Sequence, residues 1–176
     1  MEVMGIVGRQ IRLPGAVNIP ALAEALGIEY YEDDISDNVS ICITRKRTVI
    51  RVDSRLPETK RRFAGAHAIA HYIMHADILV QSQEIHRDIL FGDNARHSGG
   101  GLTDHHHMQA NEMAIHLLMP VARLHELLKK HGDDNEAIAA EFDLPVPMVE
   151  IRASIARENA NRQRKMREVI ESKSRP

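Results

Sequence analysis

His67 and His71 stand four residues apart in the run Ala66-His67-Ala68-Ile69-Ala70-His71. On an α-helix this spacing sets two imidazoles about 40° apart around the axis and ~6 Å apart along it, so both can reach one ion. Histidines four apart also arise by chance as core or surface residues. Here Ala64, Ala66, Ile69, Ala70, Ile73 and Met74 make the segment apolar nearly all round, and burying two polar rings in it is costly unless something binds them. Imidazole ligands without redox chemistry point to zinc, and a catalytic zinc takes three protein ligands and keeps a fourth position open.

The run His105-His106-His107 is the source of a third ligand. Successive helical residues turn about 100°, so only one of the three can face the ion. His107 shares its side with Asn111, Ala114 and Leu118, whereas His105 shares its side with Gln109 and Glu112, a more solvated pattern. His107 is therefore the expected ligand, with Asn111 beside it in support. His116 falls about 180° round from His107 and reads as a core or surface histidine. His75, four residues beyond His71, could pair with His71 as a ligand or orient a ligand by hydrogen bonding.

Between the paired histidines, the arrangement His-Glu-x-x-His carries a glutamate that takes a proton from zinc-bound water. This chain has Ala68 there. A methyl group neither accepts nor delivers a proton, so turnover by that route is expected to fall by orders of magnitude even with zinc in place.

The elements that must position these residues follow from capping and periodicity. Asn18 can cap a helix over Ile19–Leu26, with Pro20 in its first turn and Gly27 at its end. Ile28–Tyr31, Val39–Thr44 and Thr48–Asp53 read as strands, the last two alternating around the turn Arg45-Lys46-Arg47. A long buried helix runs from Glu58 to about Ile78. Residues 80–103 lose periodicity and include Ser98-Gly99-Gly100-Gly101, so they are expected to form a mobile loop. Asp104 then caps a second apolar helix ending near Met119, followed by Val121–Lys130, Asn135–Phe142 and Met148–Ser172. The expected fold is α+β, mainly helical, with a small antiparallel sheet near the N-terminus.

At 176 residues the chain suits one domain with an appendage. The expected division is residues 1–150 and a basic helical tail, 151–176. That tail holds eight Lys or Arg against three Glu, a net +5, which leaves −7 for the body. Its cluster Arg162, Arg164, Lys165 and Arg167 has no interleaved aromatics and reads as a solvated face or docking arm, so direct nucleic-acid binding is not expected. Asn135–Ile155 has only a weak helix-turn-helix-like pattern, with Pro145 and Pro147 in the turn. Cys42 is the only cysteine, which excludes a disulfide framework and a Cys-based zinc site. With neither a leader pattern nor a bilayer-length apolar run, the expected location is the cytoplasm, with no membrane. The eleven histidines concentrate between His67 and His131.

Residues 62–75, Arg62-Phe63-Ala64-Gly65-Ala66-His67-Ala68-Ile69-Ala70-His71-Tyr72-Ile73-Met74-His75, resemble the metal helix of the ImmA/IrrE family of metallo-endopeptidases. The segment from His107 to Pro120, with Ala110-Asn111 and Leu117-Leu118-Met119-Pro120, is similar to that family's second motif. Leu22–Gly27 and Thr48–Asp53 fit its N-terminal pattern, so the resemblance covers roughly residues 18–151. It implies a zincin-like domain, a zinc ion on His67, His71 and His107, and cleavage of a helix-turn-helix (Xre-type) repressor or antitoxin. The chain departs from the family twice. His107 stands where the family has a glutamate ligand, and Ala68 stands where it has the general base. Because the three ligands are kept, Ala68 reads more as deliberate inactivation than as natural loss of catalysis.

Overall fold

The computed structural model describes residues 2–173, and side chains over 3–166. The chain divides into two compact units, 1–120 and 121–176. The boundary expected at residue 150 instead lies inside one continuous helix, Val146–Lys173.

The first unit runs α1 (Glu2–Gln10), α2 (Ile19–Ala25), β1 (Ile28–Asp33), β2 (Val39–Ile43), β3 (Thr48–Asp53), α3 (Glu58–Ser82), β4 (His86–Ile89), β5 (Arg96–Ser98) and α4 (Asp104–Leu118). Asn18 caps α2, its Oδ1 accepting from the Ala21 amide at 3.0 Å, and Gly27 leaves the helix at φ 72°. In the β2–β3 turn, Thr44 Oγ1 accepts from the Arg47 amide at 3.1 Å.

The five strands form one sheet in the order β1-β3-β2-β4-β5. It is mixed, not antiparallel throughout: β1 pairs parallel with β3, Ile28 opposite Thr48, while β2–β3, β2–β4 and β4–β5 are antiparallel. The alternation in β2 buries Val39, Ile41 and Ile43, and that in β3 buries Thr48, Ile50 and Val52. Helix α3 packs against both strands and against α4. Its stretch from Ala64 to His71 is buried throughout, and small residues on both helices, including Ala110 and Ala114 of α4, allow close approach. Gly65 is packed instead against β1 and α2, where an added Cβ would come within 2.5 Å of the Tyr30 hydroxyl and 2.8 Å of Ile19 Cγ2.

Residues 80–103 depart most from expectation. They complete α3 as far as Ser82 and then form β4 and β5. Gly99, Gly100 and Gly101 have φ of 74°, 73° and 68°, a left-handed run that only glycine adopts readily. It is a shaped backbone turn closed against His86. The first residue of α4 is Asp104, but its N-cap is Thr103, whose amide donates to His106 Nδ1 at 3.0 Å.

The second unit contains α5 (Val121–His131), α6 (Asn135–Phe142) and α7 (Val146–Lys173). Leu124, Leu127, Ile138, Phe142 and Val149 supply its core. Arg162 pairs with Glu158 at 3.4 Å; the side chain of Arg167, and Arg175 altogether, lie outside the described residues. Among the described residues no helix is long and apolar enough to cross a membrane.

Candidate metal centre

His67 and His71 occupy successive turns of α3, both fully buried, with their Nε2 atoms 3.0 Å apart. His107 of α4 faces them, its ring centroid 5.8 Å from that of His67 and 4.9 Å from that of His71. Asp88 of β4 completes the group: its Oδ2 is 3.4 Å from His67 Nε2 and its Oδ1 is 3.3 Å from His107 Nδ1. One possible ligand atom from each of His67, His71, Asp88 and His107 lies within 4.8 Å of the others.

A chain of hydrogen bonds fixes the state of His71. Gln109 Oε1 is an acceptor, so the proton of His75 sits on the Nε2 that faces it at 3.2 Å. His75 Nδ1 is then bare and accepts from His71 Nδ1 at 3.0 Å. His71 is left with an unprotonated Nε2 directed at His67 and the centre of the group, the form in which an imidazole binds metal. His75 itself lies where α3 leaves helical geometry, at φ −130° and ψ 16°. It stands behind His71, outside the four residues that could hold an ion.

Burial and mutual proximity set the charges. Burial, with the neighbouring His67 adding to it, pushes His71 far below the usual imidazole range. Burial likewise lowers His107 to about 4 and lowers His75. For Asp88 burial opposes ionisation, but hydrogen bonds from His67 and His86 outweigh it and hold the carboxyl well below the usual carboxylate range. Burial also disfavours a charged His86, yet its hydrogen bond to Asp88 and that carboxylate's charge raise its pKa above the ordinary value. His86 Nδ1 donates to the Gly99 carbonyl at 2.9 Å, and its Nε2 lies 3.1 Å from Asp88 Oδ1. A carboxylate held by His86 thus sits beside His71 and His107, whose imidazoles burial pushes towards the neutral form.

These residues fit a divalent cation. Ligand atoms around a tetrahedral zinc with bonds of 2.0–2.1 Å stand about 3.3–3.4 Å apart, and the 3.0 Å between the two Nε2 atoms is within a few tenths of that. The protein alone leaves the group unsatisfied: His67 Nδ1 and His107 Nε2 are buried without a hydrogen-bond partner. Each such group costs about 1–3 kcal/mol; an ion held through His67 Nε2 would leave Nδ1 on the far side of that ring, so the fit to a cation rests on the donor set and its spacing.

Of the residues read from the sequence, the structure brings His67, His71 and His107 together and sets His75 against His71. Ala68 is fully buried between the paired histidines. Asn111 bonds to none of the three, and its Oδ1 is buried without a partner. His105 is exposed, and His116 lies 3.9 Å from Glu112. Sequence reasoning missed Asp88, His86 and Gln109. The alternation His86-Arg87-Asp88-Ile89 was the available signal, since a strand places His86 and Asp88 on one face.

The IrrE N-terminal-like domain model, Peptidase_M78, matches residues 23–154, more than half of the chain. No curated protein matches it.

Proposed function

We propose that this chain, which belongs to the peptidase family that carries the IrrE N-terminal-like domain, is a zinc-binding member that grips a helix-turn-helix (Xre-type) repressor or antitoxin without cutting it. The observation that carries this reading is Ala68, buried between His67 and His71 where a proton acceptor would have to stand. His67, His71 and His107 would hold the zinc. A zinc ion there would supply Lewis acidity to whatever group could enter an open coordination position. The protein's own residues supply orientation and charge but no free base on α3. Asp88, the carboxylate that does reach the group, is already engaged by His67, His86 and His107.

Zinc is favoured over harder cations because three of the donors are neutral imidazoles. The partner class rests on the likeness of residues 62–75 and 107–120 to ImmA/IrrE enzymes, and a cytoplasmic location rests on a chain with one cysteine. Family membership favours a second reading, in which the chain still cleaves that partner.

Incubating the zinc-loaded protein with the helix-turn-helix protein encoded beside its gene separates the two. An intact complex is expected. Repressor fragments accumulating with time overturn the non-cutting reading, and failure to form any complex overturns the partner.

A further inference from the structure

The geometry points to Asp88 as a fourth metal ligand that closes the site, so that the ion pins α3, β4 and α4 together and leaves no position for substrate. This rests on the reading above that His67, His71 and His107 take a cation. The two separations that place Asp88 are 3.4 Å to His67 Nε2 and 3.3 Å to His107 Nδ1. They run to different oxygens, Oδ2 and Oδ1, and each is close to the edge of a zinc tetrahedron, about 3.3–3.4 Å; with one ligand atom from each of the four residues within 4.8 Å of the others, the carboxylate stands among the possible ligands and not outside them.

The residues around Asp88 are built to keep it there. It is 2% exposed, and the short strand that carries it pairs with β2 on one side and β5 on the other. His86, two residues earlier on the same face, donates to it. His86 is in turn seated by the Gly99 carbonyl and by Gly100, where a Cβ would come within 2.8 Å of His86 Cβ. Ligating carboxylates are commonly held by a hydrogen bond of this kind.

Structural zinc sites have four protein ligands, and catalytic ones keep an opening for water or substrate. A closed set explains why the ligands persist beside Ala68 without deliberate inactivation: an ion tying two helices to a strand serves folding whether or not the chain cuts.

Cobalt(II) titration of the full-length protein tests this, because its visible spectrum reports ligand number and type. Wild type is expected to give the intense bands of a four-coordinate site. Asp88→Ala should lose that intensity and bind cobalt more than ~100-fold more weakly, beyond the 10–100-fold that loss of an outer partner costs. Asp88→Cys should add a sulfur-to-cobalt charge-transfer band in the near ultraviolet, a signal independent of how much stability either variant loses. An unchanged Asp88→Ala spectrum, or an Asp88→Cys protein that binds cobalt without that band, overturns Asp88 as a ligand and leaves the three-histidine reading intact. No cobalt binding by wild type overturns both.

Discussion

His75 Nδ1 lies 3.0 Å from His71 Nδ1, and this one contact decides which nitrogen His71 offers to a metal. With His75 committed to Gln109 through Nε2, His71 must donate through Nδ1 and keep Nε2 free. His75→Ala removes the acceptor and frees the ring to take the other tautomer. Zinc affinity should fall ~10–100-fold with the fold retained, as measured by competition with a chromophoric chelator. An unchanged affinity would mean that the contact does not set the tautomer.

Gly100→Ala tests whether the glycine run is a built turn. Its φ is 73°, and an added Cβ would lie 2.7 Å from Leu79 Cδ2 and 2.8 Å from His86 Cβ. Left-handed strain and overpacking together should cost about 2–4 kcal/mol. Chemical denaturation of the metal-free variant measures this directly. A loss below about 0.5 kcal/mol is what an unconstrained loop would give.

The metal-free protein should lose stability as pH falls from about 6.5 towards 4. His107 titrates near 6.5 when unfolded and at about 4 when folded, so within that window the unfolded chain binds more protons. Stability therefore rises with pH across it, by on the order of 3 kcal/mol at most from this residue. His71 and His75 act in the same direction. His86, raised by Asp88, acts oppositely, its contribution being present at low pH and lost as pH rises through its folded value. Denaturant midpoints measured from pH 4 to 7 check the sign: a midpoint that climbs on acidification would show the His86 pair to dominate.

Ala68→Glu alone should leave the bound repressor intact, because Asp88 still fills the position that substrate would need. Ala68→Glu combined with Asp88→Ala both restores a base and opens the site, and is expected to cut. Cleavage by the single variant, seen as new fragments by mass spectrometry, would show that the missing base was the sole obstacle.

Local chemistry was the legible part of this fold. The Asn18 cap, Gly27 and the alternation of β2 and β3 each act over a few residues, and α3 is one long apolar run. The parallel pairing of β1 with β3 was not legible, because it joins segments twenty residues apart with no local turn to signal it. β4 was hidden for another reason: its inward positions, His86 and Asp88, are polar, so the usual apolar alternation is absent although the period of two remains. At the site, helix geometry was enough to set His107, and not the exposed His105, towards His67 and His71. Asp88 could not be placed until β4 was recognised as a strand.

Whether His67, His71 and His107 hold a metal at all is tested most directly by counting it. The protein, purified without chelator and dialysed exhaustively, is assayed for zinc by elemental mass spectrometry beside His67→Ala and His71→Ala variants. About one equivalent of zinc per wild-type chain, and almost none in either variant, is the expected result. Wild type that retains no zinc, or variants that retain as much as wild type, would contradict it.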